Sequence, residues 1–137
     1  MDFKDALIKR GYIFHSHEFE NIKHGKFFVI IGEDNNNFAG YFLINSNINP
    51  YIFKKPALFE MQMPVKMAAY SSFLTHDSFI ACHEISLIPK SKLSKQISDG
   101  VAQYKGYLTK EDEERLLENL RNSDLYSEEV KNSFFKF

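Results

Sequence analysis

Two β-rich apolar runs separated by a polar reversal constrain the fold more than any other feature of this sequence. The first run, KFFVIIG, spans Lys26 to Gly32, and the second, YFLIN, spans Tyr41 to Asn45. The stretch between them is rich in Asn and contains Gly, and both residue types tolerate the positive φ angles of a chain reversal. The pattern predicts a β-hairpin with buried strands.

Further strands are predicted downstream of the hairpin. The segment ALFEMQMPV has apolar residues at every second position, which is typical of a half-exposed strand: Phe59, Met61, Met63 and Val65. Pro64 lacks a backbone N–H, so we expect this strand to end near it. Residues 78–88, SFIACHEISLI, predict the strongest later strand, which Pro89 closes before a short turn or helix in KSKLSKQI.

Helices are predicted at both ends of the chain. MDFKDALIKRG has Asp2 as an N-cap and Gly11 where a helix would stop. In LTKEDEERLLENLRNS, Thr109 with Asp112 three residues on is a variant of the capping box. The leucines of this segment share one helical face: Leu116, Leu117 and Leu120. Ser127 is a second cap, before apolar residues at helical steps: Val130, Phe134 and Phe137.

A block of short strands followed by helices predicts an α+β fold, mainly β. We expect five or six short antiparallel strands curled into a small barrel, with the C-terminal helices docked on it. A chain of 137 residues, 44% of them hydrophobic, can bury one sizeable core. The prediction is therefore a single domain: an N-terminal extension with a short helix in residues 1–18, the barrel in 19–90, and the C-terminal helices in 107–137.

Charge and cysteine content exclude several functional classes. Seventeen basic and eighteen acidic residues give a formal charge of -1, so no global basic field points to nucleic acid, although a local patch is compatible with that balance. Cys82 is alone and cannot form an internal disulfide, and no N-terminal run joins a positive flank to a long apolar core. We therefore expect a cytoplasmic protein that does not enter a membrane.

The order of several segments carries a resemblance to a known family. Asp77-Ser78-Phe79 opens a predicted strand that runs into the corner ISLIPKSKL, and a capped helix follows from Leu108. HGKFFVIIGED supplies an early strand. In this order the segments resemble the MazF/PemK-like toxins, with their DS-V strand, I-x-x-I-D-K-x-x-L corner and capped helix. The resemblance covers Ile22 to Ser123.

The resemblance implies an SH3-like barrel, commonly a homodimer, that cleaves single-stranded RNA without metal or other cofactor and is held inactive by an antitoxin protein. A ribose 2′-hydroxyl attacks the neighbouring phosphate, which requires a base, an acid and a cation for the developing charge. The catalytic residues implied are His24 or His83 for proton exchange and Lys26 for phosphate charge. The substrate-binding residues implied are Asn45, Ser46, His76 and Asp77.

This sequence departs from the family in its arginines. The family's arginine before the early strand falls near Gly25 or Lys26, and a lysine cannot reproduce a bidentate fork on phosphate. An arginine and an acid of the later strand fall on Ala81 and His83. The chain has only three arginines, none in the predicted barrel: Arg10, Arg115 and Arg121. The alternative is a non-catalytic SH3-like interaction module that binds protein or nucleic acid.

Each candidate residue also has a structural explanation. His83 alternates with apolar residues and fits a hydrogen-bonded core histidine. His24 lies in the basic stretch KHGK, which fits a solvated loop. Asp77 fits a turn in which its carboxylate accepts backbone N–H bonds, and His76 beside it would point the opposite way on an extended chain.

Metal and thiol chemistry are weakly indicated. His15 and His17 share a face if the chain is extended, but two histidines without a third ligand nearby predict no zinc site. Cys82 has no charged partner on its strand face, which favours a buried, inert thiol. Aromatic residues near loops or strand ends fit either base stacking or a core: Phe14, Phe19, Tyr41, Tyr51, Phe53 and Tyr70.

Overall fold

The protein is an α+β fold dominated by an antiparallel sheet. The structure is a computed structural model, and it describes residues 8–16, 26–45, 62–75, 77–82, 85–123 and 126–135. Seven strands lie within these ranges: β1 (Tyr12–Ser16), β2 (Lys26–Glu33), β3 (Asn37–Asn45), β4 (Gln62–Val65), β5 (Ser78–Ala81), β6 (Ser86–Pro89) and β7 (Ala102–Tyr107). The helices are a 3-10 helix (Met67–Tyr70), α1 (Lys90–Ser98), α2 (Lys110–Asn122) and α3 (Glu128–Val130), which continues into a π-helical turn (Lys131–Phe135).

The strand order is β4-β5-β3-β2-β1-β7, with β6 also paired to β3. Within the described ranges, no pairing joins the edge strands β4 and β7, so the sheet is not closed into the barrel expected from the sequence. The mixed α+β class is confirmed, whereas the described ranges alone hold seven strands rather than five or six. Two of them lie outside the predicted barrel range of 19–90: β1, which pairs with β2, and β7, which pairs with β1.

Strand β3 is paired along both of its edges. One edge pairs with β2, and the other pairs first with β6 and then with β5, as in Phe38↔Ile88 and Leu43↔Ile80. The prediction of one strand over residues 78–88 is therefore wrong. The chain turns at Cys82, whose N–H donates to the Ile80 carbonyl at 2.9 Å, and the two halves pair with different parts of β3.

The hairpin predicted from the two apolar runs is confirmed as β2 and β3. The reversal is held by Asp34, whose carboxylate accepts the backbone N–H groups of Asn36 and Asn37 at 2.8 and 2.7 Å. These hydrogen bonds favour the charged carboxylate and lower the pKa of Asp34. At Gly40 the two strands approach so closely that a Cβ atom would collide with the Val29 carbonyl oxygen and lie 2.7 Å from the Phe28 ring.

The sheet buries both of its faces. Adjacent strand residues point to opposite sides, so Val29 and Phe28 belong to separate cores. We call the side of Val29 the α2 face, because Leu116 and Leu120 of α2 pack there. We call the side of Phe28 the α1 face, because Leu93 of α1 packs there.

The helix caps explain where the helices begin and end. Thr109 Oγ1 accepts from the N–H of Asp112 at 3.2 Å and Ser127 Oγ from that of Val130 at 3.2 Å, which confirms both predicted caps. Helix α1 ends in a Schellman motif at Gly100, whose φ is 77°. In that motif Val101 N–H donates to the Gln96 carbonyl at 2.8 Å.

The helix predicted at the N-terminus falls mainly on residues 1–7, outside the described ranges. Of the helices that the structure describes, none is both long enough and apolar enough to cross a membrane.

Candidate functional site

One end of the sheet collects polar residues from four strands, and we call it the polar end. It is formed by the last residues of β1 and β3 and the first residues of β2 and β5: Ser16, Asn45, Lys26 and Ser78. Ser16 pairs with Lys26, and Asn45 pairs with Ser78. Because β3 lies between β2 and β5, the backbones of Lys26 and Ser78 are two strand spacings apart, about 10 Å.

Lys26 places a positive charge at this end on the α1 face. Its side chain is half-buried, and its ammonium lies 5.4 Å from the centroid of the Phe42 ring. A cation–π contact orients the ammonium over the Phe42 ring. It places a positive charge at the polar end.

Asp77 directly precedes β5 and fixes the start of the 3-10 helix. Its Oδ1 accepts the Met67 N–H at 2.8 Å, and its Oδ2 lies 3.9 Å from the Lys66 ammonium. The side chains of Lys66 and Asp77 are well exposed, so this ion pair contributes little to stability. The carboxylate thus holds a backbone segment at the rim of the polar end and remains accessible to solvent.

The remaining predicted site residues lie outside the part of the chain that the structure describes: His24, Ser46, His76 and His83. For Asn45 the backbone position is described. The sheet register thus brings Lys26, Asn45 and Asp77 to one end of the sheet.

One arginine does reach the sheet, which the sequence did not indicate. Arg10 Nε donates to the Ile31 carbonyl at 2.9 Å. Ile31 is five residues along β2 from Lys26, a separation of about 17 Å at the usual rise of a strand. Arg10 therefore lies near the opposite end of β2 and does not supply the arginine expected beside Lys26.

A buried polar cluster on the α2 face joins the 3-10 helix to α2. The Tyr70 hydroxyl donates to Asp112 Oδ2 at 2.6 Å and accepts the Thr109 N–H at 3.1 Å. Arg115 Nη1 donates to Asp112 Oδ1 at 3.2 Å. Burial, together with the hydrogen bond to Asp112, raises the pKa of Tyr70 to about 12. The phenol stays neutral at physiological pH, and each of these contacts holds α2 in place.

The thiol of Cys82 is buried in the same core. Burial raises the pKa of Cys82 well above its usual range, so the side chain stays a neutral thiol. Its carbonyl oxygen accepts the Tyr126 hydroxyl at 2.6 Å. Three aromatic residues that could have stacked bases are buried in the two cores instead: Phe14, Tyr41 and Tyr70.

Among the described residues, no group of three or more His, Cys, Asp or Glu side chains is placed to hold a metal ion. The His15 ring packs against Phe27 with ring centroids 4.7 Å apart. His17 lies outside the described ranges.

Comparisons with known proteins do not assign the chain to a family. No family model matches it, and no curated protein is similar enough to it to count as a match.

Proposed function

We propose that this chain is a toxin-like endoribonuclease of the MazF/PemK type, which cleaves single-stranded RNA without a metal ion. The observation that supports the proposal is the polar end of the sheet, since the register carries Lys26, Asn45 and Asp77 to that one end. A homodimer and control by an antitoxin protein belong to the same proposal.

The reaction makes and breaks one bond each at phosphorus. The ribose 2′-oxygen attacks the adjacent phosphate, its proton passes to a base, and the bond to the 5′-oxygen breaks as an acid protonates that oxygen. The products are a 2′,3′-cyclic phosphate and a 5′-hydroxyl. In the proposal His24 or His83 exchanges the protons, and the Lys26 ammonium stabilises the charge that develops on the phosphorane.

The test is incubation of the purified protein with a long single-stranded RNA in EDTA. We expect the wild type to cleave the RNA and leave 2′,3′-cyclic phosphate ends. The double variant His24→Ala, His83→Ala should leave the RNA intact. Lys110→Gln, an exposed lysine at the start of α2, is the matched control and should cleave like the wild type. Intact RNA with the wild type would overturn the proposal.

The alternative is a non-catalytic interaction module. It is favoured by the position of Arg10, whose Nε is engaged near the end of β2 away from Lys26. A module of this kind would bind single-stranded RNA or a protein through the same fold and leave RNA uncut. Binding of RNA by a wild type that never cleaves it would favour this alternative.

A further inference from the structure

The two longer helices give the two faces of the sheet opposite charge. Helix α1 contains three lysines and no acidic residue: Lys90, Lys92 and Lys95. Helix α2 contains five acidic residues, Glu111, Asp112, Glu113, Glu114 and Glu118, against three basic ones. Because these helices pack on opposite faces, a chain with a net charge of only -1 still presents one basic helix to a polyanion.

Two of the three lysines of α1, Lys90 and Lys92, lie in its first turn, where a positive charge disfavours the helix. The first turn of α1 has no side-chain cap and no acidic residue, and Lys90 and Lys92 bring positive charge to the positive end of the helix dipole. Lys90 is held by Glu33 at 3.2 Å and lies over the Phe38 ring. Lys92 and Lys95 are exposed. A first turn that contains basic residues but neither a side-chain cap nor an acidic residue fits a helix whose lysines serve a ligand.

A row of aromatic side chains crosses the α1 face from Lys26 to the edge strand β7. Phe42 lies beneath Lys26 and contacts Phe28 with ring centroids 5.0 Å apart. Phe28 is the strand partner of Phe14, and Phe14 contacts Tyr104 at 5.7 Å. The row therefore begins at the polar end and finishes at Tyr104.

The edge of this row is an exposed tyrosine surface. Tyr104 is 41% exposed and Tyr107 is 66% exposed. Tyr12 contacts Tyr104 with ring centroids 5.0 Å apart. Helix α1 packs against β7. The exposed lysines of α1 and the exposed tyrosines of β7 therefore lie on neighbouring elements. Aromatic rings beside a basic surface are the features by which proteins bind single-stranded nucleic acids.

We propose that the α1 face binds single-stranded RNA beyond the scissile phosphate, with Lys92 and Lys95 contacting phosphates and Tyr104 stacking on a base. This inference rests on the proposed function for the identity of the ligand. An unpaired strand is required because only unstacked bases offer their faces to a tyrosine.

The test measures binding separately from cleavage. A fluorescein-labelled 2′-O-methyl oligouridine lacks the nucleophilic hydroxyl, so its fluorescence anisotropy reports the affinity of the intact protein without cleavage. We expect the double variant Lys92→Glu, Lys95→Glu to bind at least about tenfold more weakly and to lose about 1.4 from the slope of log K against log salt. We expect Tyr104→Ala to bind about tenfold more weakly.

Two variants on other surfaces serve as controls. Lys110→Glu reverses an exposed lysine on α2, and Leu87→Ala removes an exposed apolar side chain from β6. Both should bind the oligouridine like the wild type. Tyr104→Leu, which keeps an apolar side chain at the site, should show the same loss as Tyr104→Ala if stacking is the cause. Thermal unfolding of every variant checks that the fold is intact.

The outcomes separate this inference from the proposed function. Binding that depends on Lys92, Lys95 and Tyr104, with unmodified RNA left intact, supports this surface and overturns the ribonuclease proposal. Cleavage of unmodified RNA together with unchanged binding by these variants overturns this surface alone. An equal loss in Lys110→Glu, or wild-type binding to polyglutamate rather than to the oligouridine, also overturns it.

Discussion

The Tyr70 hydroxyl and the Asp112 carboxylate share a 2.6 Å hydrogen bond that joins the 3-10 helix to the first turn of α2. Both residues are buried, and the same hydroxyl accepts the N–H of Thr109, the N-cap of α2. The Tyr70 hydroxyl thus forms hydrogen bonds with a buried carboxylate and with the N-cap residue of α2. Loss of either partner leaves buried polar groups without their hydrogen bond.

Tyr70→Phe is expected to lower the free energy of unfolding by about 2 kcal/mol, because it removes a hydrogen bond to a charged group and leaves the Thr109 N–H without this acceptor. Urea unfolding followed by circular dichroism measures the change. Tyr107→Phe, at a tyrosine 66% exposed, is the control and should change stability by less than about 0.5 kcal/mol. Equal effects of the two substitutions would contradict the prediction.

Stability should also fall at high pH through Tyr70. The pKa of this phenol is raised from 10.0 in the unfolded chain to about 12, by burial and by the hydrogen bond to Asp112. Its contribution is complete below pH 10, where both states hold the proton, and is lost as the pH rises toward 12, because only the unfolded state has then released it. The difference in stability between wild type and Tyr70→Phe should shrink over this window. A constant difference would rule out the linkage.

Gly40→Ala is expected to destabilise the protein by about 3 kcal/mol or more, because the new Cβ would collide with the Val29 carbonyl oxygen in the neighbouring strand. Gly100→Ala is the comparison. Nothing lies near a Cβ at Gly100, and its cost is the positive φ alone, about 1 kcal/mol. Thermal unfolding of both variants measures which one is more destabilised. A larger loss of stability in Gly100→Ala than in Gly40→Ala would contradict the prediction.

Lys26 tests the chemistry proposed for the polar end. Lys26→Gln should lower the rate of RNA cleavage about 100-fold, because it removes the charge that stabilises the phosphorane. Lys26→Arg should retain cleavage at or above the wild-type rate, since its guanidinium offers two parallel hydrogen bonds to phosphate. Single-turnover rates on one RNA measure both. Wild-type cleavage by Lys26→Gln would remove Lys26 from the mechanism.

Cys82 should not react in the folded protein. Its side chain is fully buried, and burial holds the pKa of the thiol high, so thiolate is scarce and shielded. With a thiol reagent such as dithionitrobenzoate, we expect modification of the native protein only at the rate of unfolding and rapid modification in urea. Fast labelling of the native state would contradict the buried position.

The parts of the fold predicted well from the sequence were those set by local chemistry. The hairpin follows from two apolar runs and a turn that Asp34 closes on its own neighbours. The caps at Thr109 and Ser127 were predictable because each acceptor reaches an N–H three residues away. Such signals lie within a few residues of each other.

The parts that the sequence did not reveal depend on distant partners. Strand β7 is short and contains Gly106 and exposed tyrosines, so its sequence gives only a weak strand signal, and its pairing with β1 creates the strand. Residues 78–88 read as one apolar strand because periodicity does not show that the chain turns at Cys82 to use two parts of β3. Arg10 lies in a segment whose sequence predicts a helix, and only the fold brings its side chain to the Ile31 carbonyl.

For the candidate site, the residue types could be predicted from the sequence, whereas their common position depends on the sheet. Lys26, Asn45 and Asp77 are far apart in the chain, and only the register of β2, β3 and β5 brings them to one end. The basic character of α1 was visible in KSKLSK, but its contrast with α2 has meaning only because the helices pack on opposite faces.

The pairing of β1 with β7 has a consequence for how the chain reaches its folded state. Ile13 of β1 pairs with Gly106 of β7, so β1 cannot complete its pairing until β7 has been synthesised. Contacts between such distant residues slow folding, because the entropy of closing a long loop is lost before the contact forms. During synthesis on a ribosome, β1 and the Ser16–Lys26 pair beside it would lack the β7 side of the sheet until residues 102–107 had emerged.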